Sequence, residues 1–391
     1  MRILHVSTGL NVGGAETMLH RLLEARHPGD RHHVVSLLDV GPVGRRIAAL
    51  GIETRALGMR RVPDPGKLLA LRRIVGELRP DVIQTWMYHA DLLGGLAARL
   101  AGGTPVVWGL HNGNLDPSCT RRTTRLVVSA LARLSWTIPD AIVTVSQAAQ
   151  AVHVAWGYDA RKFVFIPNGF DLARFRPDAA ARREVRRSLG VEDHHVVIGM
   201  VARVSPLKDH PNFLRAAFAL ARRRPEVRFL LCGGGDAVNG LGATPDNPYL
   251  ADPIRAAGLF DRFLLVGPRA DVPRVWSAVD VATLSSLGEA FPLALGEAMA
   301  CGVPCVATDV GDSAFLVADT GQVVPPRDPE ALAAGWEALV AMGPEGRQQL
   351  GRAARARIEA RFGIGRVVEA YAELWRRVSE GRVGRAVPAA G

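Results

Sequence analysis

Short apolar runs recur along the chain, most of them unbroken rather than alternating, and longer stretches with helical spacing separate them. In the first half they fall at residues 3–7, 33–38, 82–85, 106–110 and 141–145. In the second half they fall at 196–201, 227–232, 263–266, 281–284 and 303–307. An unbroken apolar run is how a strand reads when both of its faces are buried, as in a parallel sheet covered by helices. Alternation of such strands with helices predicts right-handed crossovers and a doubly wound sheet. The pattern occurs twice, so the expected fold class is α/β with two doubly wound domains.

A length of 391 residues suits two domains at roughly 100–200 residues each. The break is expected at residues 171–190, where Arg174-Phe175-Arg176-Pro177-Asp178 leads into a charged stretch at 182–187. This divides the chain into an amino-terminal domain (1–170), a linker (171–190), a carboxyl-terminal domain (191–360) and a final segment (361–391). In the final segment a helix at about 367–378 returns toward the amino-terminal domain, followed by a frayed tail from 381. Residues 236–248, with Gly240, Gly242, Pro245 and Pro248, read as a surface loop.

No apolar run reaches the roughly 18 residues that a membrane helix needs. The start, Met1-Arg2-Ile3-Leu4-His5-Val6-Ser7, reads as a strand and not as a signal peptide. Cys119, Cys232, Cys301 and Cys305 show neither C-x-x-C nor zinc spacing and are expected to be buried free thiols. These features point to the cytoplasm.

The formal net charge is +10, and the part through Gly169 carries most of it, with 20 Lys+Arg against 12 Asp+Glu. An anionic partner is expected there, either a membrane surface or a phosphate-bearing substrate. Residues 121–136 read as an amphipathic helix. Leu126, Val127, Leu131 and Leu134 gather on one side, and Arg121, Arg122, Arg125 and Arg133 on another. Such a helix can lie on anionic lipid at the inner face of the plasma membrane. Equally, its apolar side can pack on the sheet and leave the arginines solvated. Basic charge also raises nucleic-acid binding, but no helix-turn-helix, zinc or aromatic-basic module is present, and no nucleic-acid partner is expected.

Five motifs carry candidate chemistry. Gly9-Leu10-Asn11-Val12-Gly13-Gly14-Ala15-Glu16 lies between the first strand and the first helix, where glycines admit a ligand close to the backbone and helix amides can meet an anion. It fits neither the dinucleotide fingerprint nor a P-loop, and a plain tight turn explains it equally well. Arg203 and Lys208 lie in the loop after the first strand of the second half, before a helix that Pro211 suits at its first turn. Two cations beside a helix start make a diphosphate site.

In the third motif, Pro292 begins a helix that Gly302-Val303-Pro304 ends. Glu289 lies just before this helix, and Glu297 lies on it between the small residues Gly296 and Ala298. Glu297 can accept two hydrogen bonds from a ribose diol, and the amides of Leu293 and Ala294 can cradle phosphate. The two carboxylates could also be a glycosidase acid and base, a reading that leaves the neighbouring phosphate-binding features unexplained. His111 follows the strand at 106–110 and would point into the ligand crevice of an open α/β sheet, or be structural. The turn at 166–171, with Pro167-Asn168-Gly169, closes the first half. No Asp-x-Asp pair occurs, so the usual carboxylates for a metal bridging a diphosphate are missing and no metal is expected.

Taken together, these residues resemble the retaining glycosyltransferase family 4 (glycosyl transferases group 1), and its bacterial polysaccharide-biosynthesis members in particular. The similarity runs in order through Gly13-Gly14-Ala15-Glu16, then Pro167-Asn168-Gly169-Phe170-Asp171 with Phe175, then Arg203 and Lys208. It ends with Glu289 and Glu297, seven residues apart, followed by Ala298-Met299-Ala300-Cys301-Gly302-Val303-Pro304. The resemblance implies two Rossmann-like domains facing a central cleft (the GT-B type). It also implies transfer of a hexose-type sugar from a UDP- or GDP-linked donor to a glycan or lipid-phosphate-linked acceptor, with retention of configuration. No cofactor is implied beyond the nucleotide-diphosphate sugar as co-substrate.

In that reading Glu297 binds the ribose and Glu289 lies beside the donor sugar. Arg203 and Lys208 hold the diphosphate, helped by amides near Phe291, Leu293 and Ala294 and by the glycines at 13 and 14. His111 contacts the transferred sugar. Two departures bear on donor specificity: Gly311-Asp312-Ser313-Ala314-Phe315 lacks the family's glutamate, and the region after Asp236 is long. The alternatives are a sugar-nucleotide epimerase of similar fold, for which no further set of acids and bases is found, and a basic nucleic-acid-binding protein.

Overall fold

The computed structural model describes residues 1–60, 64–115, 120–235 and 240–381. Each apolar run becomes a strand. In the first half these are β1 (Arg2–Ser7), β2 (Arg31–Ser36), β3 (Glu53–Ala56), β4 (Val82–Trp86), β5 (Val106–Leu110), β6 (Ala141–Thr144) and β7 (Phe163–Phe165). They form one sheet in the order 3-2-1-4-5-6-7, with all neighbours parallel. Every residue of β4, β5 and β6 is buried, which is why these segments read as continuous apolar runs. Leu4 and Val6 enter one core cluster and Ile3 the other, because alternate residues of β1 face opposite sides of the sheet.

The second half holds β8 (Val196–Val201), β9 (Val227–Cys232), β10 (Phe263–Gly267), β11 (Val281–Leu284), β12 (Cys305–Thr308) and β13 (Gly321–Val324). Their order is 10-9-8-11-12-13, again all parallel. β12 begins at Cys305, two residues later than expected. Pro304 has no N–H for the ladder and contributes only its carbonyl, to the amide of Ala282. β3, β7 and β13 were not expected from the sequence, and all three are sheet edges.

The chain divides into two units: residues 1–169 with 364 onward, and residues 170–363. The stretch 171–190, expected as a linker, is part of the second unit. It contains the helix Ala179–Ser188, whose Arg186 is 3% exposed. Arg186 donates to Asp280 at 3.0 Å and to the carbonyls of Glu192 and His195 at 2.7 Å each. A charged stretch reads as solvated, but here one largely buried carboxylate, Asp280, takes up two of its arginines. The helix Ile364–Ser379 belongs to the first unit, burying Val367, Tyr371, Leu374, Trp375 and Val378, and the Trp375 indole donates to Gln84 of β4 at 3.0 Å.

Cys232, Cys301 and Cys305 are buried free thiols, as expected; burial pushes Cys232 up to about 11 and Cys301 up to about 12. Cys119 and the tail from 382 lie outside the described residues. Among the described residues no helix is long and apolar enough to cross a membrane.

Candidate active site

In each sheet the strand order reverses once, between β1 and β4 and between β8 and β11. At such a switch point, neighbouring crossovers leave on opposite faces and open a crevice beyond the carboxyl ends of the strands. Lys208 and Glu289 meet at the second of these. Lys208 Nζ lies 2.5 Å from Glu289 Oε1, and the Ser286 hydroxyl donates to the same oxygen at 2.7 Å. The backbone around the pair is tied across strands. The Ser285 hydroxyl donates to the Lys208 carbonyl at 2.8 Å, the Leu287 amide to the Leu207 carbonyl at 2.8 Å, and the Thr308 hydroxyl to the Ser286 carbonyl at 2.7 Å. Gly311 has φ +55°, and a methyl group there would strike the carbonyls of Glu289 and Ala290. Only glycine allows this chain to pass so closely behind Glu289.

The helix after Glu289 runs Leu293–Ala300, with Pro292 immediately before it. Leu293 and Ala294 are partly exposed on its first turn, where amides lack intrahelical acceptors and the helix dipole favours an anion. Glu297 is only 9% exposed, one turn further on. The Phe291 ring is buried beside Phe170 and Phe362, at 6.4 and 5.5 Å between ring centres, so it is the backbone of Phe291 that can serve a ligand. Arg203 is exposed and makes no ion pair among the described residues, leaving its charge available. The next residue, Val204, bonds from its amide to the Gly234 carbonyl at 2.8 Å, setting this loop beside the glycine run 233–235 after β9.

In the first unit, Gly13 precedes the helix Gly14–Glu24, and a side chain at Gly13 would strike the Glu16 carboxylate. At Gly14 a methyl group would meet nothing within 4 Å, so no internal packing requires glycine there. His111 follows β5 and stacks on Trp86 at 5.1 Å. Both of its ring nitrogens are shielded and without a hydrogen-bond partner among the described residues, and burial pushes its pKa down to about 3, so the ring is neutral. Trp86 is held from behind. Its indole N–H donates to His5 Nδ1 at 3.2 Å, and His5 Nε2 lies 2.9 Å from His32 Nδ1. Because an indole only donates, His5 carries its proton on Nε2 and passes the hydrogen bond to His32, whose proton is on its own Nε2.

Sequence reading missed Ser285, Ser286, Thr308, the glycines at 233–235 and the His5–His32–Trp86 chain. Three consecutive glycines after a buried strand were the one visible signal. Among the described residues no cluster of three or more His, Cys, Asp or Glu side chains could hold a metal. The amphipathic helix Arg122–Leu134 packs Leu131 in the core, with Val127 and Leu134 against it, while Leu126 is 65% exposed and Arg121, Arg122 and Arg133 face outward.

Comparison with known proteins bears on both units. Residues 12–174 match the family model described as Glycosyltransferase Family 4, and residues 195–342 match the one described as Glycosyl transferases group 1. An Escherichia coli enzyme, UDP-Gal:alpha-D-GlcNAc-diphosphoundecaprenol alpha-1,3-galactosyltransferase, is 29% identical over 69% of this chain and 68% of its own length. A D-inositol 3-phosphate glycosyltransferase of Saccharomonospora viridis is 35% identical over 68% of this chain, which spans 58% of that relative. The structure of Anabaena HepE in complex with UDP-glucose aligns with TM-score 0.81 and 25% identity, covering 96% of this chain and 99% of that one. The matches give no support to the epimerase or nucleic-acid readings. With two family models matched in order, one on each doubly wound unit, the chain belongs to the glycosyltransferases of family 4, group 1.

Proposed function

We propose that this glycosyltransferase moves a hexose-type sugar from a nucleotide-diphosphate donor to a lipid-phosphate-linked or growing glycan acceptor, with retention of configuration and without a metal. The observation that carries the donor reading is the Lys208–Glu289 pair, fixed at the β8/β11 switch point beside the first-turn amides of Leu293 and Ala294. A donor diphosphate brings negative charge to a lysine that Glu289 already orients, and the exposed Arg203 adds a second cation. These two charges stabilise the leaving diphosphate in the role a metal would otherwise fill. Glu297 takes the ribose hydroxyls, Glu289 lies by the sugar, and neutral His111 is the first unit's contact to it. Departure of the diphosphate and attack of the acceptor on the same face give retention.

A UDP-linked donor is the first to test, with GDP-linked donors as the alternative. The E. coli relative's name specifies UDP-Gal and a diphosphoundecaprenol-linked acceptor. A thermal-shift series with UDP, GDP and their sugars decides the base. Donor present at 100 times its Kd adds about 2.7 kcal/mol of stability. Product anomer analysis by NMR, with and without a chelator, decides the stereochemistry and the metal requirement. An inverted product, or full inhibition by the chelator, refutes the corresponding part. We further propose that the enzyme works in the cytoplasm at the inner membrane surface, supported by the outward arginines of the helix Arg122–Leu134.

A further inference from the structure

A cavity of about 440 Å³ opens in the second unit at the amino ends of β11 and β12, the end of the sheet opposite Lys208 and Glu289. Arg182, Trp276, Val279, Val303, Pro304 and Arg347 line it. Its volume lies within the usual range for small-molecule sites. Trp276 is 1% exposed, and its indole N–H has no hydrogen-bond partner among the described residues. An indole can only donate, so this buried group lacks an acceptor.

Arg347 is 8% exposed and has no carboxylate within ion-pair distance among the described residues. Its Nη1 donates to the carbonyls of Leu339 and Val340, at 3.3 and 3.0 Å, at the end of the helix Pro329–Ala341; its Nε and Nη2 make no hydrogen bond among the described residues. Nearby, Arg182 and Arg186 share the single carboxylate of Asp280, at 2.6 and 3.0 Å. Three guanidinium groups thus surround one largely buried acid, while Asp178 and Glu345 at the cavity are exposed. A buried cation whose recorded acceptors are two neutral carbonyls, with no counter-ion, favours an anion.

We propose that this cavity binds a small organic anion. Its carboxylate or phosphate head would accept hydrogen bonds from Arg347 and the Trp276 indole, and its apolar body would rest on Val279, Val303 and Pro304. The site is separate from the donor site and does not depend on the donor assignment. Cys301 and Gly302, which also line it, follow directly on the helix that carries Glu297.

The Trp276 indole resonance, assigned with W276F in protein labelled with ¹⁵N-tryptophan, reports occupancy directly. Benzoate and phenyl phosphate present one ring with either head, and benzyl alcohol presents the ring uncharged. The expected result is a saturable shift with an anion and none with the alcohol; the tighter of the two anions identifies the head. R347M should weaken binding by about tenfold or more, as expected for a lost charge-assisted hydrogen bond, with part of the affinity kept in R347K. Q348W changes an exposed residue at the cavity and closes it without touching the core, so the test stands even if R347M does not fold. A Trp276 resonance that neither anion moves at millimolar concentration overturns the proposal. So does binding undiminished in Q348W and in either Arg347 variant.

Discussion

Glu289 receives two donors on one oxygen, from Lys208 at 2.5 Å and Ser286 at 2.7 Å. K208A and E297A should each lower kcat/KM by about 10²–10³, equivalent to about 2.7–4 kcal/mol of transition-state stabilisation, while thermal unfolding stays near wild type. S286A leaves the lysine in place and removes only one hydrogen bond to a charged group, so a loss of about tenfold is expected. Steady-state kinetics on folded variants check both, and wild-type turnover in K208A or E297A removes those residues from the site.

The buried histidines set a second residue-scale expectation. Burial lowers His5 well below its usual value, His32, His153 and His210 to about 4, and His111 to about 3. Between about pH 4 and 6.5 the unfolded chain protonates these five and the folded chain does not, so stability falls as pH falls. Asp91 works in the opposite direction. It is raised to about 7 by burial, and the folded state holds its proton where the unfolded state does not. Five groups outweigh one, each worth about 1.4 kcal/mol per pH unit inside its window. The urea midpoint should therefore drop steeply below pH 6.5; a midpoint that is flat down to pH 4.5 contradicts the neutral assignments.

Among the elements, the helix Ala179–Ser188 shows how a charged stretch becomes structural. Its Arg186 is buried on Asp280 and three carbonyls, whereas Arg182 is about one-third exposed. R186M should destabilise by about 3–5 kcal/mol by leaving part of a buried network unpaired. R182A should cost about 1 kcal/mol or less. Urea titration of the two variants separates these values, and equal losses would place Arg186 at the surface. The helix Arg122–Leu134 makes the opposite use of charge, packing Val127, Leu131 and Leu134 on the core with Arg122 and Arg133 outward, while the Arg125 guanidinium lies over the Trp156 ring at 5.8 Å. Reversal at the outward Arg121, Arg122 and Arg133 should abolish low-salt co-sedimentation with anionic vesicles, each residue adding about 1 kcal/mol near the surface. If the wild type does not bind such vesicles at low salt, the proposed membrane contact is refuted.

On the scale of the whole chain, the first unit is discontinuous and the second is not. A fragment of residues 170–363 keeps its own core around Phe213, Phe229 and Trp336, and should unfold cooperatively in urea and bind UDP without the rest of the chain. A fragment of residues 1–169 loses Val367, Tyr371, Leu374 and Trp375 from its second core cluster and should aggregate. Both outcomes can be read by circular dichroism and gel filtration; a stable 1–169 fragment would show that the last helix is dispensable.

The amino-acid order by itself determined what depends on neighbours a few residues apart. Buried strands such as β5 and β6 are apolar at nearly every position, so local composition alone announces them, and Glu289 and Glu297 are legible as a spaced pair ahead of a helix and on it. The edge strands β3 and β7 escaped for different reasons: β3, Glu53-Thr54-Arg55-Ala56, is mostly polar and exposed, whereas β7 is apolar but only three residues long. Tertiary structure alone decided which distant groups meet. Lys208 and Glu289 are 81 residues apart, and Trp375 reaches Gln84 across 291. It also decided that Arg186 is buried while its neighbour Arg187 is exposed. Hydrophobic periodicity reports which face of an element is covered; the partner that neutralises a charge on that face is chosen only when the sheet brings separate crossovers to the same end.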